Sequence, residues 1–174
     1  MSKIIAYQEF KVARKLEEVK TSINEATGCL HLWNVKWHES FLSEDGTKMI
    51  CYFDAPDAEA VRTAVRQGGP PQTVQVWPGT VHEGPSDASI NVVVERNFDE
   101  VTSVEAVQAI EDKGAWCLDM YQVVFIRTYF SADKKRMVCL YNAPDAESVR
   151  VAQQKANMPV SAVWPCHVMN PSSI

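Results

Sequence analysis

Short apolar runs and amphipathic stretches alternate along the chain, and their order occurs twice. β-rich runs at residues 4–10 and 90–98 begin the two halves. Each run precedes a stretch with apolar residues at helical spacing, which predicts a helix with one buried face. This stripe consists of Leu16, Val19, Ile23 and Ala26 in the first half, and of Val104, Val107 and Ile110 in the second.

The rest of each half predicts two strands, a helix and a final strand. The predicted elements are a long strand (30–43 and 118–131), a turn (44–47 and 132–135), a strand (48–54 and 136–142), a helix and, in the first half, a strand at 72–77. The second helix of the first half begins with Asp57 and Glu59, since carboxylates favour a helix N-terminus, and Gly68-Gly69 ends it. The order βαββαβ is the ferredoxin-like motif.

The two halves are copies of one sequence unit. The segment from Cys51 to Arg62 returns as Cys139 to Arg150, at an offset of 88 residues. Nineteen of 69 aligned pairs are identical, whereas average composition gives roughly 4 by chance. The sequence therefore predicts two ferredoxin-like domains, 1–83 and 90–174, joined by a linker at 84–89.

The predicted fold class is α+β, with two βαββαβ repeats whose antiparallel sheets pack face to face. One repeat has helices on only one face of its sheet, so the other face needs a cover. Two fused copies supply that cover and enclose a shared interior, as in the dimeric α/β barrels. Because little sheet surface is then left exposed, a monomeric pseudo-dimer is expected.

Composition and charge narrow the class of partner. The 174 residues are 46% hydrophobic with a net charge of −5, which gives no reason to expect nucleic acid or an anionic membrane. Five cysteines without a CxxC spacing, behind an N-terminus that lacks a signal sequence, predict reduced thiols in the cytoplasm. No glycine-rich phosphate loop occurs, so no nucleotide cofactor is expected.

Motifs in the two copies resemble those of a known family. They are Trp37-x-x-Ser40-Phe41, Cys51-Tyr52, the stretch Ala55-Pro56-Asp57-x-Glu59-x-Val61-Arg62 with a turn at Gly69–Pro71, and in the second copy Cys139 and Ala143-Pro144-Asp145-x-Glu147-x-Val149-Arg150. Together they resemble the ferredoxin-like domain of unknown function 4242, a family that includes a nickel-binding protein. The resemblance covers nearly all of both halves, and it implies that the chain binds nickel or another divalent transition metal.

Candidate site residues are the polar and aromatic positions at which the copies differ. The differing pairs are Tyr7/Glu95, Trp37/Phe125, His38/Ile126 and Glu39/Arg127. His38 is the candidate metal ligand, because imidazole suits divalent transition metals. The predicted ligand-binding residues are Tyr7, Trp37, Glu39, Glu95 and Arg127. The scaffold residues are the same in the two copies, whereas these candidate residues differ. We therefore expect one site per chain, built from both copies.

Two alternatives stay open for these residues. Glu95 lies among apolar neighbours, so its carboxylate either forms an internal ion pair with Arg127 or binds a ligand. Regular strand alternation places His38 on the face opposite Trp37 and Glu39. The apolar positions favour different faces in the two copies, so the face that lines the cavity is not decided.

The sequence therefore supports two functions. The first is a cytoplasmic binding protein that holds a divalent metal or a small ligand between the two repeats. The second is a small cofactor-free enzyme, of the oxygenase, isomerase or cyclase type, that acts on a small apolar or aromatic molecule. In such an enzyme Glu95 or His38 is the general base, and Arg127 or Tyr7 stabilises developing negative charge.

Overall fold

The computed structural model describes residues 1–68 and 72–174. The strands are β1 (Ser2–Phe10), β2 (Lys36–Ser43), β3 (Lys48–Ala55), β4 (Gln72–Glu83), β5 (Val92–Asn97), β6 (Val124–Ser131), β7 (Arg136–Asn142) and β8 (Ala162–Met169). The helices are α1 (Leu16–Leu32), α2 (Ala58–Gly68), α3 (Val104–Lys113), α4 (Ala115–Met120) and α5 (Ala146–Lys155). The α+β class and the two βαββαβ repeats are confirmed, with the first helix of the second repeat divided in two. The predicted turn at Gly69–Pro71 lies outside the described residues.

The chain divides into two compact units. Unit 1 contains Met1–Gly79 together with His167–Ile174, and unit 2 contains Thr80–Cys166. The domain limits 1–83, 84–89 and 90–174 stay a prediction.

Each unit has an antiparallel sheet with its first strand at the centre. In unit 1, β1 pairs with β3 and β4, and β2 pairs with the other edge of β3. In unit 2, β5 pairs with β7 and β8, and β6 pairs with β7. Because side chains alternate along a strand, Ile4, Ala6 and Gln8 share one face of β1, and Ile5 and Tyr7 lie on the other.

The helices of each unit cover one face of its sheet and build its core. In unit 1 the buried residues of this core include Ile4, Ala6, Val19, Leu30, Leu42, Met49, Cys51, Phe53, Val61 and Ala64. Unit 2 repeats the arrangement with Val92, Val94, Val107, Leu118, Met137, Cys139, Tyr141, Val149 and Ala152. At these positions Cys51 and Cys139 pack as small buried hydrophobes.

The prediction of two long strands, at residues 30–43 and 118–131, is wrong for the first residues of each. Residues 30–32 belong to α1 and residues 118–120 to α4, and the strands begin only at Lys36 and Val124. A tight turn separates helix from strand, with Asn34 and Gln122 at φ values of 55° and 57°. Short apolar runs fit a strand and a buried helix end equally well, so periodicity alone did not separate them.

A β-bulge changes the face on which His38 lies. The pairing of β2 with β3 shifts between Trp37 and Glu39, and unit 2 has the same shift between Phe125 and Arg127. The extra residue in unit 1 is His38, and its ring stacks on Tyr52, the cross-strand partner of Glu39. His38 and Glu39 therefore share a face, contrary to the regular alternation that the sequence predicted.

Within residues 1–68 and 72–174, no helix is both long and apolar enough to span a membrane.

Candidate functional site

A cavity of about 70 Å³ lies between the helices and the sheet of unit 1. We call it the unit 1 cavity. Its lining is mainly apolar, with a few polar groups among the hydrocarbon. The lining residues that matter here are Gln8, Arg14, Val19, Ser22, Trp37, Ser40, Met49, Cys51, Phe53 and Val65.

The polar groups at the floor of this cavity bond to one another. Trp37 Nε1 donates to Ser40 Oγ at 2.9 Å, and Ser40 Oγ donates to Cys51 Sγ at 2.8 Å. Gln8 Nε2 donates to the same sulfur at 3.5 Å. Burial raises the pKa of the Cys51 thiol to about 12, so this group is neutral at pH 7. A ligand that reached the floor would therefore meet mostly hydrocarbon and groups that already have hydrogen-bond partners.

The polar end of the cavity is formed by Arg14. Its Nη2 donates to Ser22 Oγ at 2.8 Å, and its guanidinium lies 5.5 Å from the centroid of the Phe10 ring. Both Arg14 and Ser22 are half-buried, so this end of the cavity reaches solvent. Among the residues that the structure describes, Arg14 has no carboxylate partner.

Unit 2 fills the corresponding space with its own side chain. Arg96, which aligns with Gln8, is 1% exposed. Its guanidinium donates to Gln153 Oε1 at 2.7 Å, Tyr141 OH at 3.0 Å, the Pro159 carbonyl at 2.7 Å and Cys139 Sγ at 3.4 Å.

The difference between the units follows from three aligned pairs. In unit 1, Gln8 replaces Arg96, Phe53 replaces Tyr141 and Val65 replaces Gln153. The shorter amide leaves space, and the two apolar residues remove the groups that accept the guanidinium in unit 2. The cavity of unit 1 is thus the space that Arg96 fills in unit 2.

The residues predicted for the first copy lie on two faces of the sheet. Trp37 lines the unit 1 cavity beneath the helices. Tyr7 is on the opposite face, where its hydroxyl donates to Glu9 Oε1 at 2.6 Å. Glu39 and His38 also lie on that opposite face, beside Tyr52. The structure therefore separates Trp37 from the other candidates of its copy.

The two residues predicted for the second copy both have partners within unit 2. Glu95 Oε2 accepts a hydrogen bond from Trp164 Nε1 at 2.7 Å. Arg127 Nε lies 2.8 Å from Glu83 Oε1, and Arg127 Nη1 donates to the Tyr129 hydroxyl at 3.3 Å. A shared site of Tyr7, Glu39, Glu95 and Arg127 stays a prediction.

His38 belongs to a small charged cluster on the face opposite the helices. Its Nε2 lies 2.9 Å from Asp54 Oδ2, and Lys3 Nζ donates to Asp54 Oδ1 at 2.7 Å. The ring stacks on Tyr52 with the centroids 4.7 Å apart and the planes at 21°. Burial acts to raise the pKa of Asp54, but the hydrogen bonds from Lys3 and His38 outweigh it and hold that pKa below its usual range.

We expect Asp54 to make folding more sensitive to acid. A carboxyl whose pKa is lower in the folded state contributes stability that is present above its unfolded pKa of about 3.9 and is lost as the pH falls through the folded value. Asp54→Asn should thus cost up to about 1 kcal/mol at pH 6 and less at pH 3. Urea unfolding at the two pH values measures this change. Lys3→Met should show the same pH trend, and an Asp54→Asn cost that is equal at both values would contradict the assignment.

The cluster and the cavity include residues that the sequence reasoning missed. Lys3 and Asp54 align with Asn91 and Asn142, so the cluster exists in unit 1 alone. Gln8 aligns with Arg96, and this substitution within a strand was a signal available from the repeat. Arg14 precedes α1 in a loop, where strand and helix periodicity carry no information.

Comparison with known proteins finds a family and a fold. The family profile described as "Nickel responsive protein SCO4226-like" matches residues 8–75 and 93–166, which is one match to each repeat. A comparison with curated proteins returned no match.

A search of solved structures finds matches at low sequence identity. A mutant chlorite dismutase from Candidatus Nitrospira defluvii in complex with cyanide has 14% identity and a TM-score of 0.53, with 95% of this chain and 90% of that chain covered. A monooxygenase-type protein from Lactobacillus acidophilus has 10% identity, a TM-score of 0.49 and coverage of 97% and 94%. A heme-binding protein from Thermus thermophilus has 7% identity, a TM-score of 0.46 and coverage of 99% and 94%. The chlorite dismutase match agrees with the predicted fold class.

Proposed function

The chain belongs to the family of the nickel-responsive protein SCO4226-like, and we propose that it binds a small organic molecule in the unit 1 cavity. The observation that carries this proposal is the contrast between the repeats. Unit 2 fills the space beneath its helices with Arg96, whereas unit 1 leaves the same space open. We also propose, from composition and the repeat, that the protein acts in the cytoplasm as a monomer.

The lining of the cavity supports binding in preference to catalysis. Small-molecule sites are mostly apolar with a few placed polar groups, as this one is. Its described lining residues include no histidine and no carboxylate, so none of them is a general base of the usual kind. Cys51 is held as a neutral thiol, which is a poor nucleophile.

The family name makes nickel the metal to consider, but the described residues do not fit a resident nickel ion. Among residues 1–68 and 72–174, no group of three or more His, Cys, Asp or Glu side chains is placed to hold a metal. His38 has the carboxylate of Asp54 beside it, yet the ammonium of Lys3 lies on that carboxylate and disfavours a cation there. Cys51 would first have to lose a proton that it holds tightly.

Calorimetric titration of tag-free protein with Ni²⁺ tests whether the protein binds nickel, as the family name suggests, or does not, as its residues indicate. We expect no binding tighter than about 1 mM. Tighter binding that disappears in His38→Ala would make His38 a metal ligand and would overturn our assignment.

The small-molecule proposal is tested through the indole of Trp37. We expect titration with isobutyrate or isobutyramide to shift the ¹H–¹⁵N resonance of Trp37 Nε1 saturably, with a Kd near or below about 1 mM. Trp37→Phe, which introduces the residue found at position 125, identifies the resonance.

A variant that copies unit 2 into unit 1 provides the matched control. Gln8→Arg, Phe53→Tyr and Val65→Gln together should fill the cavity while supplying two of the acceptors that hold the guanidinium in unit 2. We expect this triple variant to fold and to lose the probe-induced shift. A shift that persists in the folded triple variant, or no shift in the unaltered protein with either probe, would contradict the proposal.

A further inference from the structure

We infer that the ligand of the unit 1 cavity is a small carboxylic acid whose carboxylate is bound by Arg14. This inference rests on the proposed function, since it specifies the ligand of the same cavity. The apolar part of the acid would lie between Val19 and Met49, and its carboxylate would remain at the half-buried end of the cavity.

Arg14 has hydrogen-bonding capacity left for such a group. A guanidinium has five N–H donors in a planar fork that matches a carboxylate. One donor of Arg14 is used by Ser22 Oγ, and the described part of the chain offers this arginine no carboxylate. A charge-assisted pair at a half-buried position is stronger than the same pair in open solvent.

The surroundings of Arg14 hold its guanidinium in place. Ser22 Oγ donates to the Glu18 carbonyl at 3.0 Å, so this hydroxyl is anchored to α1 while it accepts from Arg14. The Phe10 ring lies against the guanidinium on another side. Ser22 and Phe10 are thus positioning residues, and Arg14 is the group that would contact the ligand.

The interior of the cavity disfavours a cationic ligand. Unit 2 holds its buried guanidinium with side-chain oxygens of Tyr141 and Gln153, but Phe53 and Val65 stand at these places in unit 1. Of the three side chains that accept from Arg96 in unit 2, only Cys139 has the same residue type at the aligned position of unit 1. That residue, Cys51, already accepts from Ser40 and Gln8. Among the lining residues that the structure describes, the only charged side chain is therefore the positive Arg14, which favours an anion with a hydrocarbon body.

The size of the cavity limits the acid to a short chain. Its volume of about 70 Å³ is less than half that of an engineered cavity of roughly 150 Å³ that binds benzene. A branched acid of about four carbons is the appropriate probe. An inorganic anion would leave the apolar lining without a partner, so inorganic phosphate serves as a comparison.

The experiment compares isobutyrate, isobutyramide and inorganic phosphate at pH 7 in three proteins. In the unaltered protein, we expect isobutyrate to bind at least about tenfold more tightly than the other two, as read from the Trp37 indole resonance. Arg14→Gln should weaken isobutyrate by about tenfold and leave isobutyramide within about twofold. Arg66→Gln, which alters an exposed arginine of α2 outside the lining, should change nothing.

The outcomes separate the inference from the proposed function. Equal affinity for the acid and the amide in the unaltered protein would overturn the inference, as would unchanged isobutyrate binding in Arg14→Gln. In both cases the cavity would remain a small-molecule site. If neither organic probe shifts the Trp37 resonance, the proposed function itself fails.

Discussion

Arg96→Gln should lower the free energy of unfolding by about 3–5 kcal/mol. The guanidinium of Arg96 makes hydrogen bonds to four groups inside unit 2, and the side chain is 1% exposed. Glutamine is too short to reach them, so Tyr141 OH and Gln153 Oε1 would each lose a partner inside the core. Each unpaired buried polar group costs about 1–3 kcal/mol. Urea unfolding followed by circular dichroism measures the loss.

Removing the acceptors together with Arg96 should cost less than removing Arg96 alone. The triple variant Arg96→Gln, Tyr141→Phe and Gln153→Val gives unit 2 the residues that unit 1 has at these places. It leaves space but few unpaired polar groups, so we expect a loss of about 1–2 kcal/mol. The Arg96 network would not be the source of the stability if the triple variant were as unstable as Arg96→Gln.

The repeat in the sequence was sufficient to predict the fold, whereas the site depends on contacts between distant elements. The helix and strand order follows from periodicity, which each half shows independently. Periodicity did not predict that α1 extends to Leu32 or that β2 has a bulge at His38. Both features are local departures from a regular pattern. Such departures depend on tertiary packing, which cannot be deduced from the pattern of a single sequence.

The candidate residues of the cavity were difficult to find for a related reason. The prediction compared aligned strand positions of the two copies one pair at a time, as for Tyr7 and Glu95. The cavity arises instead from substitutions at positions 8, 53 and 65, which lie on β1, β3 and α2. Each substitution is unremarkable alone, and only the structure shows that all three face the same space.

A pair of small residues, where the helices of each unit meet, also differs between the repeats. A Cβ added at Gly114 would lie 2.3 Å from Ala156 Cβ and 2.9 Å from Ala156 Cα. The aligned residues in unit 1 are Ala26 and Gly68, so the glycine and the alanine are exchanged. Each unit therefore has one methyl group at this contact, and a second would lie 2.3 Å from it in unit 2 and 3.0 Å from it in unit 1.

Gly114→Ala should consequently destabilise the protein by about 1–3 kcal/mol through overpacking. Gly114 has a φ of −101°, which other residues adopt readily, so the cost is steric. Adding Ala156→Gly reproduces the arrangement of unit 1 and should restore most of the lost stability. Gly28→Ala is the matched control, because an added Cβ there meets nothing within 4 Å and should stabilise α1 by about 0.5–1 kcal/mol. Urea midpoints of these variants measure the effects, and a double variant no more stable than Gly114→Ala would show that the two residues do not act through this contact.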